Sequence, residues 1–241
     1  MLVKTKGIVI KQTKFSESGA IVKILTREVG VHSFFVRGIR GGKSGKKAAL
    51  FQPLTILDLV INFSDKKTLH NIKEISVGHA YQSLTTDPVK RTLLFFIDEL
   101  LHKCLKEETE NTELFDWIQN ALIWLDLADV GYVNFHLIFM MQLSLFMGFY
   151  PKNETNNENF IFDMQEGKFG DNIPFHPHYV KGIIASVIKQ LQIAKFEELA
   201  AITMSNSVRK NVLDTLIAYY NLHIPSLGEF KSLDVLSVVL E

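Results

Sequence analysis

Residues 3–11 read VKTKGIVIK, residues 20–26 AIVKILT, residues 31–36 VHSFFV, residues 54–62 LTILDLVIN and residues 69–77 LHNIKEISV. Each run is short and rich in β-branched or aromatic residues. Turn formers separate them: Ser16-Glu17-Ser18-Gly19, Glu28-Val29-Gly30, Gly41-Gly42 and Ser64-Asp65-Lys66. Five such strands in so short a stretch suit a small closed barrel, because an open sheet of that size leaves exposed edges. An OB-fold is expected over residues 1–80, and an SH3-like barrel fits the count nearly as well.

Beyond this stretch the pattern changes to helical spacing. Asp87-Pro88 is a helix start, since Asp caps and Pro suits the first helical position. Leu93, Leu94, Phe96, Ile97, Leu100 and Leu101 follow at helical intervals. Further helices are predicted at 112–126, 130–149, 179–194, 206–222 and 233–240. The fold class is therefore α+β multidomain, with a barrel at 1–80 and a mainly helical domain at 81–241. Residues 151–178 form an insertion in the latter. There Phe160, Phe162 and Met164 alternate and Glu166-Gly167 turns the chain, as in a small hairpin.

The 241 residues carry 26 Lys and Arg against 26 Asp and Glu, a neutral total that hides an asymmetry. Residues 1–80 hold 14 basic and 5 acidic residues, and residues 81–241 hold 12 and 21. A basic module on an acidic carrier suits a polyanion partner, although two halves that attract each other give the same pattern. The richest stretch is residues 37–47, RGIRGGKSGKK, with five cations, four glycines and no acid. Glycines let backbone approach phosphates, and Arg and Lys neutralise them. The candidate DNA-binding residues are Lys11, Lys14, Lys23, Arg27, Arg37, Arg40, Lys43, Lys46 and Lys47. Phe34 and Phe35 precede the loop; alternation sends one into the core and leaves the other able to stack on a base.

Other chemistries find little support. The P-loop pattern would place its first glycine at position 37, which is Arg, and Gly45 and Pro53 interrupt the helix that should follow Ser44. One cysteine, Cys104, excludes an intramolecular disulfide and a Cys-pair zinc site. Cys104 and His136 read as core residues. His176 and His178 near Asp171 lack a firm third ligand and read as surface histidines. No charge occurs between Asp129 and Lys152, a span long enough for a bilayer at ~20 residues. It carries Asn134, His136, Gln142 and Ser144 without a basic flank, so a buried central helix is expected and a membrane partner is not. The start lacks a signal-peptide apolar core, which points to an intracellular protein.

The order of motifs resembles the bacterial RecO family of DNA repair proteins. The resemblance runs through Lys6-Gly7-Ile8-Val9, Ser16-Glu17-Ser18, Thr26-Arg27-Glu28-Val29-Gly30, Gly38-Ile39-Arg40, Lys43-Ser44 and Gln52-Pro53-Leu54, and ends with Phe230-Lys231-Ser232-Leu233 and Leu236. It implies an OB-fold and a helical domain in a recombination mediator that is not an enzyme. Such a mediator binds single- and double-stranded DNA and anneals complementary strands. Its implied partners are RecR, the acidic C-terminal tail of single-strand-binding protein (SSB) and, indirectly, RecA, in the cytoplasm at the nucleoid. A general RNA- or ssDNA-binding OB-fold adaptor is the alternative. Many family members carry a four-cysteine zinc site after the long central helix. Here Gly148-Phe149-Tyr150-Pro151 matches the approach to it but the cysteines are missing, so no zinc cofactor is expected.

Overall fold

A computed structural model describes the chain except residues 18, 40–44, 106–108 and 241 and the side chains of residues 45 and 46. The chain forms two compact units: Met1–Thr86 with Ile97–Asp126, and Asp87–Phe96 with Leu127–Glu241.

In the first unit, β1 (Leu2–Lys14), β2 (Gly19–Thr26), β3 (Gly30–Arg37), β4 (Ile56–Asn62) and β5 (Leu69–Val77) close a barrel in the order β1-β2-β3-β5-β4. All neighbours are antiparallel except β3 and β5, whose parallel pairing closes the barrel. Inward side chains, among them Val9, Val22, Ile24, Phe34, Val36, Phe51, Leu57, Leu59 and Ile61, fill the interior. Gly7 is required in this packing: a Cβ there would lie 2.6 Å from Leu59 Cδ1 and 2.8 Å from Ile24 Cγ2. Strand β4 starts at Ile56 rather than at 54. Leu54 is buried with φ 57°, a left-handed conformation that no strand residue adopts. A helix, α1 (Gly45–Ala49), joins β3 to β4. The sequence reading had Gly45 interrupting any helix after Ser44, but the chain turns helical there.

The helical part of this unit comes from α2 (Pro88–Cys104), of which residues from Ile97 onward belong here, and α3 (Thr112–Leu127). Asp126, its side chain sealed from solvent, accepts backbone N–H bonds from Gln82, Ser83 and Leu84 at 2.8–3.0 Å. His79 Nε2 stands 3.5 Å from the same carboxylate. Burial opposes the charge, yet these donors hold the Asp126 carboxyl below its ordinary range. Cys104 is half-buried, not a core residue.

In the second unit the start of α2 is capped as expected, with Asp87 Oδ1 accepting from Val89 and Lys90 N–H at 2.8 and 3.0 Å. Its centre is α4 (Phe135–Phe146), buried at Phe135 through Met141 and packed on α5 (Ile183–Ile193) and α6 (Asn206–His223). The expected helix over 130–149 is shorter at both ends. A 3-10 turn, Tyr132–Asn134, precedes α4, and Gly148 at φ 83° follows it. Twelve residues rise only ~18 Å, and no helix among the described residues is long and apolar enough to cross a membrane. His136 is fully buried, as expected.

The expected hairpin is present as β7 (Ile161–Asp163) and β8 (Lys168–Gly170), within a four-stranded sheet of order β6-β8-β7-β9. The outer strands are β6 (Lys152–Asn153) and β9 (Tyr179–Lys181). Residues 179–181 are therefore strand and not the start of the next helix, which begins after Gly182 at φ 64°. His176 is half-buried with Nε2 3.4 Å from Asp163, so it is not the surface histidine expected, whereas His178 is exposed. The chain closes with α7 (Leu233–Leu240).

Candidate nucleic-acid interface

Strands β1, β2 and β3 share an outward face, because cross-strand partners point the same way. The register pairs Lys11 with Lys23 and Thr13 with Ile21. It also pairs Lys23 with Ser33, Ile21 with Phe35 and Gly19 with Arg37. One end of this face therefore carries Lys11 and Lys23, and the other carries Phe35 and Arg37.

At the first end the cations are already partnered within the unit. Lys11 Nζ donates to His102 Nε2 at 2.8 Å, and Lys23 Nζ donates to the Leu105 carbonyl at 2.8 Å. Burial and the neighbouring Lys11 depress the His102 pKa, so the ring is the neutral acceptor this bond needs. Past the end of β2, Arg27 grips both carboxylate oxygens of Asp116 at 2.7 and 2.8 Å. That two-pronged bond raises the Arg27 pKa and holds Asp116 below its usual range. Of the nine candidates, these three have partners at His102, Leu105 and Asp116.

At the other end the cations face solvent. Lys14 ends β1 at the barrel rim opposite Ala20, and Arg37 ends β3; both are exposed. Lys47 in α1 is exposed and donates to the Arg37 carbonyl at 2.5 Å. Lys14 and Arg37 thus lie at one rim of the barrel, on the two strands that flank β2, and Lys47 is tied to the last residue of β3. Arg40, Lys43 and the Lys46 side chain lie outside the described residues.

Two aromatic rings complete this end. Phe34 is buried and Phe35 turns outward, as alternation requires. The Phe35 ring meets Phe15 edge-on, with centroids 5.6 Å apart at 76°, and the Arg37 guanidinium lies 5.7 Å from its centre. Phe15 is 62% exposed. Gly19 makes the arrangement possible, because a Cβ there would stand 3.0 Å from the Phe35 ring. The sequence reading overlooked Phe15. Its signal was an aromatic at the tip of a strand, straight after Lys14, with only a polar turn beyond it.

A five-stranded barrel in this order, with a helix between its third and fourth strands, is an OB-fold, here joined to a helical region. Residues 1–81 match the family model for the recombination protein O N terminal, and residues 85–234 match that for the recombination protein O C terminal. The chain is 38% identical over 236 residues to the DNA repair protein RecO of Phocaeicola vulgatus, covering 98% of each chain. It is 37% identical over 243 residues to that of Flavobacterium psychrophilum, covering 99% of each. It is 34% identical over 242 residues to that of Bacteroides fragilis, covering all of both. The chain belongs to the RecO family of DNA repair proteins.

Proposed function

We propose that this chain is a recombination mediator that binds single- and double-stranded DNA and anneals complementary strands. With RecR it would help RecA load onto SSB-coated DNA. The observation that carries this reading is that Lys14, Arg37 and Lys47 face solvent, Lys14 and Arg37 at one rim of an OB-fold and Lys47 tied to Arg37, with the cations of residues 40–46 between Arg37 and Lys47 in sequence. Annealing brings two polyanions together. The barrel's part is to neutralise phosphates without reading sequence, and no covalent step is needed.

The acidic SSB tail requires an apolar pocket bordered by cations. A cavity of about 230 Å³ between α6 and α7 suits it, lined by Leu213, Leu236 and Leu240 with Arg209 and Lys210 at its edge. Both cations lie near the start of α6, whose first turn holds no acidic residue, so the helix dipole adds to an attraction for anions. The buried His136 ring also borders this cavity and is held neutral by burial, with a pKa of about 3.

Zinc has no place in this reading. The segment after Gly148-Phe149-Tyr150-Pro151 holds no cysteine, and the one thiol, Cys104, is elsewhere in the chain. Among the described residues no group of three His, Cys, Asp or Glu could hold a metal ion. The sheet is held instead by Asp163, which caps the β7–β8 turn through Gln165 and Glu166 N–H at 3.0 Å, and by tilted packing of Phe162 on Phe169. Prolonged chelation should leave the melting temperature unchanged; a fall would mean that the fold holds a metal.

The test is annealing of complementary oligonucleotides coated with cognate SSB, without nucleotide or added metal. The wild type should anneal rapidly, and changing Arg37, Arg40, Lys43, Lys46 and Lys47 together to Ala should abolish it. Contact with about 5 to 8 phosphates predicts a log–log salt slope of roughly −3.5 to −6 on single strands. No annealing by the wild type overturns the mediator reading, and a preference for RNA would favour the adaptor alternative.

A further inference from the structure

We infer that Phe15 and Phe35 form a stacking platform for an unpaired nucleobase, which makes the chain favour single strands over duplex. The inference rests on the DNA-binding reading and goes beyond it, because phosphate contacts alone do not tell an open strand from a paired one.

An exposed phenylalanine at a strand tip needs a reason. A lone Phe15 would sample several rotamers in water. Here the Phe35 ring stands across it at 76°, a favoured edge-to-face geometry, so the ring is braced rather than loose. Phe35 is itself held by its place in β3 and by the Arg37 guanidinium beside its ring. The bare backbone of Gly19 lets Phe35 lie across β2 toward Phe15. Two rings and a guanidinium thus form a small pre-set surface whose apolar area is open to solvent.

Its surroundings select the occupant. Lys14 precedes Phe15 directly, Arg37 lies over the Phe35 ring, and Lys47 donates to the Arg37 carbonyl. Glu17, exposed on the turn after Phe15, is the neighbouring acid. A flat apolar ring that carries a phosphate on either side meets both halves of this chemistry. A nucleotide in a single strand is such a ligand, and any base has a π-face, so no sequence preference follows. In duplex DNA the faces are stacked on one another and cannot reach Phe15.

The experiment titrates the full-length chain with labelled oligonucleotides by fluorescence anisotropy. Three are used: an ordinary single strand, the same strand with a run of abasic sites, and a duplex. The wild type should bind the ordinary strand about tenfold or more tighter than the abasic one, as one stacked base implies. Phe15→Ala should remove that difference and leave abasic binding, duplex binding and the salt slope unchanged, and Phe15→Trp should restore it. Equal wild-type affinity for ordinary and abasic strands overturns the platform and leaves the mediator reading intact, and this arm needs no variant to fold. A loss by Phe15→Ala that is the same on all three ligands also overturns it. A wild type with no affinity for any DNA removes both readings together.

Discussion

Asp98 and Asp126 carry the same carboxyl in opposite settings. Asp126 receives three backbone N–H bonds and is held below its ordinary value, while Asp98 Oδ1 is buried without a hydrogen-bond partner. Burial first, then the nearby Glu99, push the Asp98 carboxyl up to about 7, against the pull of Lys11. The lowered group stabilises the fold above its unfolded pKa, near 3.8, and that contribution is lost as pH falls through the folded value. The raised group favours the fold at low pH, and that contribution is lost as pH rises toward 7. Asp126→Asn should therefore cost roughly 1–3 kcal/mol at pH 7, with the deficit shrinking below about pH 4. Asp98→Asn should stabilise above pH 7 and do little near pH 4. Thermal melts of both variants between pH 3 and 8 check the two signs, and parallel profiles would refute the contrast. Neither role was legible in the sequence, since a carboxylate in an apolar helix run does not announce whether backbone donors will meet it.

Gly7 shows how much a single strand position constrains the barrel. Gly7→Ala drives a methyl into Leu59 and Ile24, both buried, so overpacking of about 1–3 kcal/mol is expected. A urea midpoint equal to wild type would mean that the core has room to spare. The five barrel strands were legible because burial on one face imposes strict alternation, which survives in the sequence. The features that were missed lack such a period. The left-handed turn at Leu54 looks like a strand residue by composition. Strands β6 and β9 span two and three residues, too short for any pattern to register. The onset of α4 was blurred because every residue from Phe135 to Met141 is buried, leaving no polar face to mark its phase. At the candidate interface, the loop and its cations were readable from charge. Which cations are already partnered was not, because partners such as His102, Leu105 and Asp116 lie some eighty or ninety residues away.

Across the whole chain, the excess of base in residues 1–80 and of acid beyond them is used in part internally. Asp116 belongs to the acidic remainder, yet it spends its charge on Arg27 of the barrel. Asp116→Ala would release that guanidinium. Affinity for single strands should then rise and the log–log salt slope should steepen by about 0.7, the increment of one added phosphate contact. Salt titrations of the two proteins decide it; identical slopes would mean that Arg27 stays out of reach of DNA.

The interleaving of the two units has a consequence for synthesis. The first unit takes in Ile97–Asp126, so the barrel's strands leave the ribosome before the residues that answer Lys11, Lys23 and Arg27 exist. At ~5–20 residues per second, the stretch from 81 to 126 takes a few seconds to translate. Throughout that interval the newborn barrel carries its surplus positive charge beside ribosomal RNA, the largest polyanion within reach. Translation through α3 supplies the partners for those three side chains, while Lys14, Arg37 and Lys47 keep facing solvent.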